Sequence, residues 1–360
     1  MKRARNVEPN KNSLSARKWE DIHSGRFSGG VKRIRGKEPS RNVKKLMMDH
    51  RTRKIELRLG TRASLLALRQ ANWVKRRVED LNPGVQVTLV HIKTTGDKLD
   101  FPLFNVGGKG LFVKEIEEAL ARKEVDLAVH SAKDLPGVIP EGLDLIAFPE
   151  REDPRDALVS RDGKIFGEIR KGGKVGTGSL RRQAQLLNLR PDLEVVPIRG
   201  NLDTRLKKLA ALDLDAVILA SAGLRRMGWE KRISDFFDPE TMVPAIGQGA
   251  LAIETREEDD RVRKVVEPLD HPPTRIAVLA ERAFLQRLGG GCQVPVAGHA
   301  RIEPQKLLLT GLVAGVDGRR VVRGKVEGPP EKNRDLGERL AADLLERGAG
   351  EILQEVYQKA

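Results

Sequence analysis

Cysteine is almost absent from this chain of 360 residues, where Cys292 stands alone. One thiol forms no internal disulfide and no cysteine-based zinc cage, so the fold needs no oxidising compartment and a cytoplasmic location is expected. Long hydrophobic runs are missing as well. No uncharged apolar stretch approaches the ~18 residues of a membrane helix, so an integral membrane protein is not expected. The N-terminal region has no apolar h-region and does not read as a secretory signal. The glycine-rich segment Gly107-Gly108-Lys109-Gly110 lacks the spacing and the Gly-Lys-Ser/Thr ending of a Walker A loop, which disfavours ATP hydrolysis. No Cys–His pair is evident, so protease-type nucleophilic chemistry is unsupported.

What is present is a soluble mixture, 39% hydrophobic and 32% charged, long enough for two or three domains. The net charge of +15 would ordinarily raise nucleic acid as a partner. Its distribution argues otherwise. Residues 1–54 hold 17 of the Lys and Arg against 5 acids, while the remaining residues hold 49 against 46. The basicity belongs mainly to a leader without apolar periodicity, expected to be disordered. Met47 and Met48 precede the first periodic segment, and an upstream extension from start-site choice is the simplest account. A transit peptide would carry fewer acids, and a nucleic-acid-binding arm is a further alternative.

From Ile55 short β-branched runs alternate with helical patterns, the signature of α/β layers. Strands are expected at Ile55–Leu59, Val85–Ile92, Val125–Val129, Leu143–Ala147, Ala157–Ser160, Lys174–Gly176, Glu194–Pro197, Ala216–Leu219 and Ala250–Glu254. Helices are expected at Ser64–Leu81, Leu111–Arg122, Leu180–Leu189 and Leu202–Leu212. Two doubly wound units follow, with crossings at Glu150–Arg155 and Val243–Gly249 and a ligand cleft between them. After a helix at Pro273–Leu288, three β-rich runs and a closing helix near Asn333–Glu346 read as a small α+β domain.

Gly60-Thr61-Arg62-Ala63-Ser64 opens the first helix directly after a strand, where free N–H groups and the positive dipole end suit an anion; an ordinary N-cap is the alternative. Gly176-Thr177-Gly178-Ser179, followed by Leu180-Arg181-Arg182, repeats the arrangement. Arg199 stands at a strand end, Arg205 about a turn into the next helix, and Arg225-Arg226 after a Ser221-Ala222-Gly223 turn. Guanidinium groups at successive strand ends suit bidentate binding of carboxylate or phosphate, against the alternative of a solvated basic face. His130-Ser131-Ala132-Lys133-Asp134-Leu135-Pro136 leaves a buried-looking strand into a polar turn. Cations beside Asp134 favour its ionised form, suited to stabilising a developing cation or exchanging protons with an amine; the alternative is an aspartate in a tight turn. His130 reads equally well as a structural hydrogen-bonder. Lys109 is available to an anion if its glycine-rich segment is mobile, and otherwise marks a plain linker. Isolated cysteines are usually small buried hydrophobes. After three glycines, the Cys292 thiol is expected to be accessible instead, and covalent attachment of a ligand fits it.

Taken in order, Thr61-Arg62-Ala63-Ser64, Gly108-Lys109-Gly110-Leu111-Phe112, His130 to Pro136, Gly178-Ser179-Leu180-Arg181-Arg182, Arg199-Gly200-Asn201 and Gly290-Gly291-Cys292-Gln293-Val294-Pro295 resemble the porphobilinogen deaminase (hydroxymethylbilane synthase) family from about residue 55 to the C-terminal region. The resemblance implies an α/β fold of two doubly wound periplasmic-binding-protein-like domains plus a small α+β C-terminal domain. Domain 1 would comprise 55–149 and 250–267, domain 2 155–243, and domain 3, carrying the cofactor cysteine, 272–360. It implies a transferase of heme and porphyrin (tetrapyrrole) biosynthesis that joins four porphobilinogen molecules into linear hydroxymethylbilane with loss of ammonia at each addition. Cys292 would hold one covalent dipyrromethane per chain through a thioether, and Asp134 would be the catalytic carboxylate. Lys133, Ser179, Arg181 and Arg182, with Asp134, would bind the cofactor. Arg62, Ser64, Lys109, Arg199, Arg205 and Arg226 would bind the acetates and propionates of porphobilinogen and the growing polypyrrole chain. A six-ring chain carries roughly twelve negative charges, which calls for a guanidinium-lined cleft. No metal, nucleic acid or membrane partner is implied, and a monomer is expected. Asn105 departs from the lysine of many bacterial members. A non-catalytic anion-binding module would need neither Cys292 nor Asp134, and nucleic-acid binding would leave the body motifs unexplained.

Overall fold

The computed structural model describes residues 55–98, 112–289 and 294–358. The leader 1–54, the segment with Asn105 and Lys109, and Cys292 with its neighbours lie outside the described residues.

The first β-branched run becomes β1 (Ile55–Thr61), which pairs in parallel with β2 (Val85–His91) and β3 (Leu127–Ser131). Helix α1 (Leu65–Leu81) links β1 to β2, and α2 (Lys114–Ala121) precedes β3. Each turns one apolar face inward, Ala71, Val74 and Val78 in one case and Ile116, Ala119 and Leu120 in the other, because residues three or four apart share a helix face. β4 (Leu143–Ala147) lies at the sheet edge, and the place between β3 and β4 is taken by a distant strand, β10 (Leu251–Arg256), antiparallel to both.

The second sheet repeats this plan. β5 (Asp156–Ser160), β6 (Lys174–Gly176), β7 (Glu194–Val196), β8 (Ala216–Ala220) and β9 (Asp235–Phe236) lie in the order β7-β6-β8-β5-β9, with β6 parallel to β7 and β8 and β5 antiparallel to β8. In both sheets the antiparallel insert is the first strand after the chain changes sheet. The strands that α3 (Leu180–Leu189) and α4 (Leu202–Ala211) connect are short, and β5 is buried along its whole length, as a strand covered on both faces must be. Ser221-Ala222-Gly223 is not a free turn but the start of α5 (Ser221–Arg226). Tertiary packing overrides the turn propensity, since a Cβ on Gly223 would stand within 3.6 Å of both Leu202 and Leu66.

The two crossing segments run side by side. Glu152 N donates to Gly249 O at 3.2 Å, and a Cβ on Gly249 would fall 2.2 Å from Glu152 O, at a φ of +89°. Only glycine fits such a site without strain. Gly249→Ala is therefore expected to cost about 3 kcal/mol, read as a lowered midpoint in urea unfolding; an unchanged midpoint would refute the packing argument.

A third sheet, β11 (Val296–Glu303), β12 (Lys306–Ala314) and β13 (Val321–Gly328), is antiparallel throughout. It is backed by α7 (Pro272–Arg287) and α8 (Asn333–Leu344), which follow α6 (Asp260–Val266) and precede α9 (Gly350–Gln358). Glu281 on α7 is fully buried and ties the third sheet to both crossing segments: Arg151 Nη1 reaches it at 2.6 Å, Gly247 N at 2.6 Å and Ala300 N at 2.7 Å. A carboxylate so placed is satisfied by one cation and two amides, which offsets its desolvation.

Candidate active site

Residues at the carboxyl ends of the parallel strands gather where the two sheets face each other, the place where such sheets bind ligands. β1 runs into Arg62 and Ser64, β3 into Lys133 and Asp134, β6 toward Ser179, and the segment after β7 into Arg199. Ser64 caps α1, accepting from Ala67 N at 3.4 Å, and Ser179 caps α3, accepting from Arg182 N at 3.4 Å. Both hydroxyls thus do the ordinary capping work. The Arg62 guanidinium lies 4.3 Å from the centre of the Phe112 ring, a cation–π contact that fixes its direction. Arg62, Ser64, Phe112, His130 and Asp134 line one pocket at the mouth of the first sheet.

Asp134 ends a single 3₁₀ turn, Ala132–Asp134. Among the described residues no hydrogen bond engages its carboxylate, and it acts electrostatically on both Lys133 and Arg205. Burial, with Arg182 adding repulsion, pulls the Lys133 ammonium down to about 8, against the pull of Asp134 and Asp156. Burial likewise brings the Arg205 guanidinium down to about 10, with Arg182 and Arg199 contributing and Asp134 opposing. Arg226, the last residue of α5, is lowered to about 10 by burial and donates to Gly249 O at 2.7 Å. Among the described residues, a carboxylate without a hydrogen bond therefore stands beside the cations Lys133 and Arg205. The next turn of the same loop is held from the third part of the molecule, where Arg282 Nη2 donates to Pro136 O at 2.9 Å.

Arg181 and Arg182 are placed differently from the other cations. Both guanidinium groups are buried against Asp156: Arg181 Nη1 lies 2.7 Å from Oδ2 and Arg182 Nε 3.0 Å from Oδ1. Gln248 Nε2 adds a third donor at 2.9 Å, and Arg181 and Arg182 also donate to the Val243 and Ile218 carbonyls. Burial pushes the Asp156 carboxyl up, but the two arginines outweigh it and hold it well below the usual carboxylate range. Two cations on one anion leave a net positive field below the cleft. Asp156→Ala would strand both charges and is expected to cost about 3–5 kcal/mol. Because folding depresses the Asp156 carboxyl, its contribution is complete above the ordinary carboxylate range and is lost as pH falls through its lowered value. The check is urea unfolding at pH 7 and pH 3, where the wild-type and Ala midpoints should converge toward the acid side.

The sequence reading did not find Asp156 or Gln248. The only signal was a charged residue at the head of an apolar strand, which marks a buried charge without naming its partner.

Two family models cover the body of the chain. One, described as "Porphobilinogen deaminase, dipyromethane cofactor binding domain", matches residues 57–264, and another, "Porphobilinogen deaminase, C-terminal domain", matches residues 275–346. The porphobilinogen deaminase of Geotalea uraniireducens is 56% identical over 84% of this chain and 95% of its own length, and that of Pelobacter propionicus 57% over 84% and 98%. The chain belongs to the porphobilinogen deaminase family. Among solved structures, a Salmonella typhimurium periplasmic binding protein is 16% identical with a TM-score of 0.33, covering 60% of this chain and 91% of that one. A likeness that loose says nothing of what this chain binds.

Within the deaminase match, residues 57–264 contain every candidate site residue except Cys292, which falls in the C-terminal match. Helix α7, tied to the loop of Asp134 through Arg282, runs to Arg287, five residues before Cys292. Lys109 and Cys292 lie outside the described residues. Among the described residues no helix is long and apolar enough to cross a membrane.

Proposed function

We propose that this protein joins four porphobilinogen molecules into linear hydroxymethylbilane, releasing ammonia at each addition, on a dipyrromethane primer held as a thioether by Cys292. The observation that carries the reading is the Asp134 carboxylate, without a hydrogen bond among the described residues and acting on Lys133 and Arg205, at a strand end of a chain of the deaminase family. Domain 1 would span 55–149 and 250–267, domain 2 155–243 and domain 3 272–360, the protein acting as a cytoplasmic monomer.

The residues fit a polycarboxylate. Lys133 and Arg205 are both pushed toward discharge by burial and by like charge, a strain that bound carboxylates relieve. When bound, the primer supplies the free pyrrole carbon on which the chain grows. Arg62, Ser64, Arg199, Arg205 and Arg226 would hold acetate and propionate groups, and Lys133 with Ser179 would position the primer. Arg181 and Arg182, turned onto Asp156, would act through the field they leave rather than by direct forks. Asp134 would hold the proton at the aminomethyl nitrogen as ammonia departs and stabilise positive charge developing on the pyrrole.

The test is turnover of the purified full chain with porphobilinogen, counting ammonia against product. Four ammonia per hydroxymethylbilane is expected, and primed, folded protein that releases none would overturn the reading. Raising pH through about 8 should discharge Lys133, so KM for porphobilinogen should rise several-fold while Lys133→Arg keeps it flat to pH 9. A wild-type KM independent of pH from 7 to 9 would remove Lys133 from the binding set.

A further inference from the structure

Behind the pocket that holds Asp134, three titratable side chains meet in an apolar layer. His130, on β3, and Glu254, on β10, are buried on the same sheet face, and His130 Nε2 lies 2.9 Å from Glu254 Oε2. Glu117, on α2, packs over them and acts electrostatically on the pair. Glu254 Oε1 and Glu117 Oε1 are both buried without a hydrogen-bond partner among the described residues. Their surroundings include Ile116, Leu120 and Ala128. In such a layer the Glu117 carboxyl has lost its water and faces a second carboxylate, so its ionised form is disfavoured. Among the described residues no three such groups have metal-holding geometry, so protons are what these unpaired oxygens can carry.

We propose that His130, Glu254 and Glu117 form a buried proton store for the coupling step, with His130 as its face toward the pocket. The proposal rests on the polymerisation reading. In each addition the C–N bond of the protonated aminomethyl group breaks, its electron pair leaving on nitrogen as ammonia. The freed methylene carbon bonds to the terminal ring carbon of the growing chain, and that carbon gives up its proton. A store beside Asp134 takes this proton and returns it to the ammonia before it leaves the pocket as ammonium, so the cycle balances and the site ends in its starting charge. His130 lines the same pocket as Asp134, while Glu254 and Glu117 do not line it and act through His130 as positioning and charge-setting groups.

Burial and the neighbouring Glu254 push the Glu117 carboxyl up to about 7, with His130 pulling the other way. The remaining charged residues of the strands packed under α2 are engaged elsewhere or exposed. Arg58 binds Asp126, and Asp144 binds Arg263. Arg256, which shares the face of Glu254, donates to Leu120 O and Val125 O and pairs with Asp259. Glu56 is exposed.

Glu117→Gln, neutral and of equal size, is the test, made on primed full-length protein. In the wild type, infrared difference spectra should show a protonated-carboxyl C=O band titrating near pH 7 and kcat should have a limb in the same range. In Glu117→Gln the band should vanish and kcat should lose its limb near pH 7. His130→Gln can still bond Glu254 but cannot titrate; a structural role would survive the change, whereas a proton store predicts at least a tenfold loss of kcat at unchanged KM. An unchanged band and limb in Glu117→Gln, or wild-type kcat in His130→Gln, overturns the proposal. A wild type that does not consume porphobilinogen overturns the polymerisation reading instead, and the infrared band then decides the store by itself.

Discussion

Asp134→Asn is expected to lower kcat by roughly 10³-fold, the scale of a positioned acid–base group. Asparagine keeps the size of the side chain and removes its charge. In the wild type this carboxylate favours the charged forms of both Lys133 and Arg205. Its removal therefore has a second, separable consequence. Lys133, already near 8, should lose its proton at still lower pH, so the rise of KM with pH should begin earlier in the variant. A general loss of structure would produce neither the split between kcat and KM nor the displaced limb. Folded Asp134→Asn with wild-type kcat would end the assignment of this residue.

Cys292→Ser should abolish turnover while leaving the fold in place. Serine is a far poorer nucleophile than a thiolate and would not form the stable thioether that retains a primer. The denatured wild-type chain should weigh about 420 Da more than its sequence, the increment of two porphobilinogen units joined to a thiol with loss of ammonia. The Cys292→Ser chain should have the bare mass. The same spectrum reads the N-terminus, and shows whether residues 1–46 accompany the body. Wild-type protein of unmodified mass that still turns over would remove Cys292 from the mechanism.

The two variants probe groups far apart in sequence. Arg282 on α7 bonds the carbonyls of Pro136 and Gly137, just beyond Asp134, and α7 then leads toward Cys292. Loss of that tie in Arg282→Ala should lower activity without touching a reacting atom.

Much was legible in the amino-acid order. β4, β6 and α3 occupy the residues that periodicity marks, because a period of 2 or 3.6 is a local property of the chain. The strand ends that bear Arg62, Asp134 and Ser179 were legible for the same reason, and the deaminase motifs lie on them. Short elements escaped: α5 reads as a turn and β9 has two residues, too few for a period to register.

Only the tertiary structure decided which arginines remain turned to the cleft. Arg181 and Arg182 read as anion ligands at a helix start, yet Asp156, about 25 positions away, takes both. The same holds for Glu281, which holds Arg151 and two amides together, and for Glu254, whose histidine partner is 124 residues away. The amino-acid order by itself determined the elements, their strand-end loops and the chemistry those loops carry. It did not determine how buried charges pair. That pairing depends on which groups lose water together, and desolvation is a property of the packed molecule that no local period records.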